Sequence, residues 1–319
     1  MDELDKLNYD KILEPLSVLN ECTICPRNCK ADRIAGKTGY CKADASFSIS
    51  SICIHRGEEP VISGSRGICN IFFTNCNLQC VYCQNFQISS NELDYEDCKM
   101  ELRSVLARII HILSQGINIV GFVSPSHFIP QVKIIVNSLR ELGYDPSFVY
   151  NTNGYDTVES LQGLEPFIDV FLPDLKYLEK DISYRYSDAR DYPGVAREAL
   201  KEMYRQAGSS LDIDEEGYAV KGMVIRHLVL PGHPGNSKKV LRFIAEELSP
   251  GIHISLMSQY YPTHHVASHP VLGKTLKYKE YSEVVEELER LGFSNGWVQH
   301  LDSHENYRPD FMNENPFGD

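Results

Sequence analysis

The sequence is short of positive charge and contains no long apolar run. Its 319 residues include 31 Lys and Arg against 44 Asp and Glu, which gives a net charge of -13. A surface of this sign repels phosphate backbones, so general nucleic-acid binding is disfavoured. No apolar run reaches the roughly 20 residues that cross a bilayer, and the first residues (MDELDKLNYD) lack the basic and apolar regions of a signal peptide. These absences predict a cytoplasmic protein that does not enter a membrane.

The overall composition argues against several other classes of protein. Hydrophobic residues make up 42% of the chain and charged residues 24%. Both values are close to globular averages, which disfavours disorder, collagen-like repeats and coiled coil. The unusual feature is a set of ten cysteines. In a reducing compartment, clustered cysteines serve more often as metal ligands or catalysts than as disulfides.

Three of the cysteines lie close together in the segment CNLQCVYCQN. Cys76, Cys80 and Cys83 have the spacing C-x-x-x-C-x-x-C, and no fourth cysteine follows closely. A structural zinc site and a simple [4Fe-4S] carrier each use four ligands. Three thiolates on a [4Fe-4S] cluster would leave one iron open to substrate or cofactor. The alternative is a zinc knuckle that a distant histidine completes.

A second group of four cysteines lies nearer the N-terminus. Cys22, Cys25, Cys29 and Cys41 occur within ECTICPRNCKADRIAGKTGYCKA, and four closely spaced thiolates complete a metal shell. A structural zinc ion and an auxiliary iron–sulfur cluster both fit this pattern, so the identity of the metal stays open. The isolated cysteines are expected to be buried as small apolar side chains; they are Cys53, Cys69 and Cys98.

Strand-like and helix-like segments alternate along the rest of the chain. Six segments have the dense apolar character of buried strands: GICNIFFTN (67–75), INIVGFV, SFVYNTN, IDVFLPDLK, AVKGMVIRHLVLPG and HISLMSQY. Helices are predicted at 101–114, 130–142, 156–164, 192–207, 237–248 and 279–291. This alternation predicts an α/β fold, a partial (βα)6 TIM-like barrel. We expect the barrel at 67–300, after a cysteine-rich extension (1–66) and before a C-terminal tail (301–319).

Polar side chains end the predicted strands, which is where the chemistry of such barrels takes place. The candidates after the second to fifth strands are Ser124, Asn151, Thr152, Asp174, Lys176 and Arg226. Further polar strand-end residues are His127, His227, Ser258, Gln259 and Tyr260. A single residue of this kind is often an ordinary turn or cap residue, but their recurrence favours a lined pocket.

The three-cysteine motif, with Tyr82 directly before its third cysteine, resembles that of the radical S-adenosylmethionine (radical SAM) superfamily. The resemblance implies that Cys76, Cys80 and Cys83 hold a [4Fe-4S] cluster, whose fourth iron binds the amino and carboxylate groups of S-adenosylmethionine. It also implies reductive cleavage of that cofactor to a 5′-deoxyadenosyl radical, which abstracts hydrogen from a substrate. The implied reductant is a protein such as flavodoxin or ferredoxin.

Three further segments resemble the glycyl-radical-enzyme activases: NTNG (151–154), PDLK (173–176) and IRHLVLPG (225–232). The whole pattern, over about residues 20–317, resembles an uncharacterised branch of pyruvate formate-lyase-activating enzyme homologues. By this resemblance, Thr152 and Asp174 place a cation beside the cofactor carboxylate, while Lys176 and Arg226 hold the cofactor.

The chain also departs from the activases at three positions. Ser124 lies where they have a Gly-Gly-Glu segment that binds the methionyl amino group, so Ser124 or the backbone has to serve instead. Asn151 replaces an Asp, which weakens the cation site, and Gln259 or Tyr260 stands near the position of a His. These departures put a glycyl radical enzyme substrate in doubt.

Three functions follow as hypotheses. The first is a radical SAM oxidoreductase that acts on a substrate the sequence does not name. The second, within the same class, is activation of a glycyl radical enzyme, which needs a protein or peptide substrate. The third is a non-catalytic scaffold for iron–sulfur electron transfer or metal binding.

Three remaining segments are interpreted as surface features. HRGEEP (55–60), with His55, Glu58 and Glu59, is expected to be a solvated loop rather than a lining of the cleft between extension and barrel. PTHHVASHP (262–270) is expected to be a surface loop. The C-terminal stretch is expected to lie against the barrel through aromatic residues, which are Tyr307, Phe311 and Phe317.

Overall fold

The computed structural model describes residues 3–305, 308–313 and 315–318. Its strands are β1 (Phe47–His55), β2 (Ile68–Phe73), β3 (Lys99–Met100), β4 (Ile119–Val123), β5 (Ser147–Thr152), β6 (Val170–Pro173), β7 (Asp212–Ile213), β8 (Ala219–Leu228), β9 (His253–Met257) and β10 (Gly296–Val298). Its α-helices are α1 (Tyr9–Ile12), α2 (Pro60–Ser63), α3 (Phe86–Ser89), α4 (Leu102–Leu113), α5 (Ile129–Glu141), α6 (Val158–Gln162), α7 (Lys180–Ser187), α8 (Tyr192–Ala207), α9 (Pro234–Phe243) and α10 (Tyr278–Arg290).

The strands form one sheet in which parallel pairing dominates. Neighbours from β2 through β4, β5, β6, β8 and β9 to β10 are all parallel. β1 runs antiparallel to β2 and β3, and β7 runs antiparallel to β8. Within the described residues, the terminal strands β3 and β10 do not pair with each other, so the barrel stays open. The predicted fold class, an α/β partial barrel, is confirmed.

Apolar side chains on strands and helices explain why these segments form the core. Every residue of β2 and β4 is buried, as expected for parallel strands that are covered on both faces. Helix α4 buries Leu102, Val105, Leu106, Ile109 and Ile112, which recur at helical spacing on one face. Each large aliphatic side chain buried in this way contributes about 1.5–3 kcal/mol.

Four strands lie outside the six predicted ones: β1, β3, β7 and β10. β1 falls within residues 1–66 and pairs with β2, although its sequence FSISSICIH contains four serine or histidine residues among the apolar ones. Ser48 is nevertheless buried, because its hydroxyl bonds the Thr74 hydroxyl at 2.7 Å. β10, within the segment GFSNGWVQ, adds a seventh parallel strand beside β9.

The C-terminal segment contacts the barrel through aromatic rings. Phe311 and Phe317 lie with ring centroids 5.2 and 5.5 Å from Phe72 of β2, and the ring of Phe317 also packs at a tilt against that of His55, with centroids 3.9 Å apart. Tyr307, the third aromatic residue predicted to make such contacts, lies outside the described residues. Across the described part of the chain, no helix has the length and apolarity needed to cross a membrane.

Candidate functional site

A cavity of about 410 Å³ lies at the carboxyl ends of the parallel strands. This volume is in the range of small-molecule and cofactor sites. Ten of the sequence-predicted site residues line it: Cys76, Cys80, Tyr82, Cys83, Ser124, Asn151, Thr152, Asp174, Lys176 and Arg226. The fold thus brings together side chains that are up to 150 positions apart in the chain, from Cys76 to Arg226.

The three thiols of the cysteine loop each accept a hydrogen bond from a neighbouring side chain. The Asn153 amide donates to Cys76 Sγ at 3.4 Å. The Ser187 hydroxyl donates to Cys80 Sγ at 2.9 Å, and the Ser89 hydroxyl donates to Cys83 Sγ at 3.2 Å. Such donors stabilise negative charge on sulfur.

Burial keeps the thiols of Cys76 and Cys80 neutral as long as no metal binds them, since it raises the pKa of Cys76 to about 12 and that of Cys80 to about 11. A soft metal group would have to displace the protons, and thiolates are the ligands that iron–sulfur clusters use. In the described part of the chain, no three His, Cys, Asp or Glu side chains are grouped so that they could hold one metal ion.

A cluster of four largely buried charged side chains lines the same cavity. Arg226 Nε lies 2.9 Å from Asp174 Oδ1, and Lys176 Nζ lies 2.7 Å from Asp174 Oδ2. Arg226 Nη1 also lies 3.1 Å from Glu58 Oε2. We call Glu58, Asp174, Lys176 and Arg226 the charged cluster; its two acids and two bases balance.

In the charged cluster, oppositely charged side chains stabilise each other's charged form. Burial acts to raise the pKa of Asp174, but Arg226 and Lys176 outweigh it and hold that pKa below its ordinary value. Burial acts to lower the pKa of Lys176, but Asp174 and Cys80 outweigh it and raise that pKa. Both groups are therefore charged at neutral pH.

Each carboxylate oxygen of Asp174 already pairs with a cationic side chain, Oδ1 with Arg226 and Oδ2 with Lys176. The Thr152 hydroxyl is also engaged, since it lies 3.1 Å from the Ser126 hydroxyl and donates to Asp156 Oδ2. A hard cation prefers several free oxygen ligands, and these two residues offer few. Lys176 and Arg226 supply positive charge at the place where the resemblance implied a bound cation.

The interpretation of HRGEEP as a solvated loop is wrong. Glu58 is only 7% exposed at its side chain, and its Oε1 accepts hydrogen bonds from the Asn70 and Asn151 amides at 3.0 and 3.3 Å. His55 and Glu59 are buried as well. Sequence reasoning missed Glu58 because its partner Arg226 lies 168 positions away. The one available signal was the adjacent pair of acids before a helix-starting proline.

Several polar strand-end residues turn away from the cavity. His127 Nε2 lies 2.9 Å from the Thr74 carbonyl oxygen. His227 lies between the Leu175 carbonyl oxygen (2.6 Å) and the Ser237 hydroxyl (2.8 Å). Burial lowers the pKa of His127 to about 3 and that of His227 to about 4. Both histidines are neutral parts of the core.

The remaining cysteines divide into two sets. The four N-terminal cysteines line a second, small cavity. Cys53 and Cys69 are buried, as predicted for packing residues, but Cys98 is partly exposed. The prediction of burial is wrong for Cys98, because it lies at the end of a short turn that precedes the edge strand β3.

Comparisons with known proteins give distant similarities. No family model matches the chain. An uncharacterized protein of Methanocaldococcus jannaschii is 28% identical over 281 residues, which covers 86% of this chain and 76% of that protein.

Solved structures give weaker similarities. SuiB of Streptococcus suis bound to S-adenosylmethionine has a TM-score of 0.47 at 12% identity, over 71% of this chain and 48% of that one. SuiB bound to its precursor peptide SuiA has a TM-score of 0.46 at 14% identity, over 73% and 49%. A domain of pyruvate-formate lyase-activating enzyme from Bacteroides vulgatus has a TM-score of 0.37 at 16% identity, over 54% and 93%. The chain spans about half the length of SuiB, and at such scores these similarities assign no activity or ligand to it.

Proposed function

We propose that the protein is a radical SAM enzyme with a [4Fe-4S] cluster on Cys76, Cys80 and Cys83. The observation that carries this proposal is the single cavity that these three thiols share with the charged cluster. When bound there, the cluster and S-adenosylmethionine would supply a 5′-deoxyadenosyl radical that abstracts hydrogen from a substrate.

The protein's own contribution begins at the thiols. Asn153, Ser187 and Ser89 each donate a hydrogen bond to one of them. These donors stabilise the thiolate form and so adjust how readily a bound cluster accepts an electron. The expected source of that electron is a one-electron protein donor such as flavodoxin or ferredoxin.

The charged cluster suits the amino-acid end of S-adenosylmethionine. That end is a zwitterion, and the cluster presents both signs of charge within one buried network. Lys176 and Arg226 are positioned to receive the carboxylate through charge-assisted hydrogen bonds. Ser124, Asn151 and Tyr82 line the same cavity, and we assign them to cofactor contact.

Apolar side chains form part of the cavity wall, including Val123, Leu228, Met257 and Trp297. Apolar surface limits access of water, which would otherwise quench a reactive intermediate. A non-catalytic scaffold has no need for a cavity with a partly apolar wall and a charged cluster beside three thiols. This combination favours the enzyme over the scaffold.

The test is an anaerobic assay. The protein is reconstituted with iron and sulfide, reduced and mixed with S-adenosylmethionine, and 5′-deoxyadenosine is measured. Product that is lost in Cys80→Ala and retained in Cys98→Ala supports the proposal. Absence of product, together with an unchanged spectrum of the reduced protein on adding S-adenosylmethionine, refutes it.

Activation of a glycyl radical enzyme is a narrower function within this proposal. It is tested by mixing the active protein with a candidate partner and recording its electron paramagnetic resonance spectrum. A glycyl radical on the partner assigns the activase function. Product formation without such a radical across the candidates assigns another substrate.

A further inference from the structure

One buried carboxylate on the wall of the 410 Å³ cavity lies outside the charged cluster. Glu59 directly precedes helix α2, lines this cavity and is only 8% exposed. Among the described residues, its Oε2 has no hydrogen-bond partner. A buried carboxylate oxygen in this state destabilises the fold unless a proton or a ligand satisfies it.

The charged side chains on the cavity wall do not balance without a ligand. Three of them are acidic, Glu58, Glu59 and Asp174, and the Lys and Arg among the lining residues are Lys176 and Arg226. Both bases pair with Glu58 and Asp174, so Glu59 is the surplus acid. Burial raises the pKa of Glu59, Arg226 acts to lower it and Glu58 acts to raise it. A bound cation would neutralise this carboxylate in place of a proton.

Two strand residues lie beside Glu59 in this part of the cavity. Ser255 of β9 pairs with Arg226 of β8 on one side and with Trp297 of β10 on the other, and all three line the cavity. The Ser255 hydroxyl interacts with the Glu59 carboxyl and acts to lower its pKa. Trp297 packs on the same apolar cluster as Ile62 of α2. We call Glu59, Ser255 and Trp297 the acidic corner.

The acidic corner and the three thiols come from different parts of the sheet. The thiols follow β2, whereas Ser255 and Trp297 belong to β9 and β10. In the sheet, four strands lie between β2 and β9. A cofactor held by the thiols and the charged cluster therefore leaves the acidic corner for a second ligand, the substrate.

The residue types of the acidic corner suit a nitrogen cation. A carboxylate forms charge-assisted hydrogen bonds with ammonium and guanidinium groups, and the face of a tryptophan ring attracts such cations. A hard metal ion prefers several oxygen ligands instead. Within the described residues, no three His, Cys, Asp or Glu side chains are placed to hold one ion.

We propose that Glu59, Ser255 and Trp297 form a subsite for a nitrogen cation, an ammonium or guanidinium group, that the substrate carries. The subsite itself rests on the cavity and on the carboxylate oxygen without a partner. The assignment of its cation to a substrate rests on the proposed function.

The test uses Trp297, which is the only tryptophan of the chain, so its fluorescence reports on the acidic corner. The full-length protein in its metal-free form is titrated with butylammonium and with butan-1-ol, a neutral molecule of similar size. We expect a saturable change in emission, with an affinity for butylammonium at least about 10-fold higher than for the alcohol. Glu59→Gln should abolish this preference, whereas Glu286→Gln, at an exposed position of α10, should retain it.

Equal affinities for the two probes, or a preference that persists in Glu59→Gln, would overturn the subsite. If Glu59→Gln does not fold, the comparison of the two probes on the wild-type protein still decides. Because these titrations need neither metal nor S-adenosylmethionine, their failure leaves the proposed radical chemistry untouched, and failure of that chemistry leaves the subsite standing.

A second measurement identifies the source of the cation. S-adenosylmethionine also carries an amino group, so its affinity is measured by anaerobic calorimetry on the reconstituted wild type and on Glu59→Gln. We expect equal affinities, which would leave the cation to the substrate. An affinity that falls by the same factor as that for butylammonium would show that the cofactor fills the acidic corner and would overturn the assignment to the substrate.

Discussion

Replacement of Lys176 by methionine tests the charged cluster most directly. Lys176 Nζ lies 2.7 Å from Asp174 Oδ2, and both side chains are less than a fifth exposed. At this distance and an effective dielectric constant of about 20, the gross attraction is ~6 kcal/mol. Desolvation offsets much of it. Arg226 continues to pair with Asp174 in the variant, so we expect the free energy of unfolding to fall by about 1–3 kcal/mol.

The effect on cofactor binding follows from the same charge. If Lys176 donates to the carboxylate of S-adenosylmethionine, its loss removes one charge-assisted hydrogen bond of about 1.5–3 kcal/mol. The affinity should then fall about 10- to 150-fold. Anaerobic calorimetry on the reconstituted protein measures the affinity, and thermal unfolding of the metal-free protein measures the stability.

Lys99→Met is the matched control for this experiment. Lys99 also pairs with an aspartate at 2.7 Å, Asp44, but it is absent from the residues that line the cavity. We expect it to lower stability and leave the affinity for S-adenosylmethionine unchanged. Unchanged affinity in Lys176→Met, with reduced stability, would show that Lys176 serves the structure alone and would refute the assignment.

Three further predictions follow from single contacts. Ser187→Ala removes the donor to Cys80 Sγ and should make the reduction potential of the three-cysteine cluster more negative in a redox titration. Gly39→Ala would bring a Cβ atom to 2.5 Å from the Cβ of Cys29, so we expect metal analysis to show loss of the metal, zinc or iron, that the sequence predicts at the four N-terminal cysteines. His227 has a pKa lowered to about 4, against about 6.5 in the unfolded chain. Its contribution to stability is complete above pH of about 6.5 and is lost as the pH falls toward 4, so His227→Gln should flatten stability against pH.

Each of these variants has a control. Ser183→Ala removes a buried hydroxyl that bonds a carbonyl oxygen and should leave the potential unchanged. A Cβ at Gly194 meets no atom within 4 Å, so Gly194→Ala should retain the wild-type metal content. His111 is exposed on α4, and His111→Gln should keep the wild-type pH profile. If a control and its test variant behaved alike, the contact named for that prediction would not be the cause.

The elements of the barrel follow from local sequence. The helix predicted at 130–142 is Ile129–Glu141, and the strand segment SFVYNTN contains β5. Such agreement is expected, because hydrophobic periodicity reports which face of a segment is buried without reference to distant partners. β1 escaped prediction because serine and histidine interrupt its apolar pattern, and their polar groups are satisfied only by residues elsewhere in the fold.

The candidate site could be described only by combining the sequence with the tertiary structure. The sequence by itself determined the two groups of cysteines, because spacing along the chain decides which thiols can bind the same metal group. It also determined the polar strand ends, since parallel strands deliver their carboxyl ends to one edge. Only the tertiary structure decided that Glu58 joins Arg226 across 168 positions, while His127 and His227 turn into the core. The direction of a side chain at a strand end depends on the partner that satisfies it, and that partner comes from elsewhere in the fold.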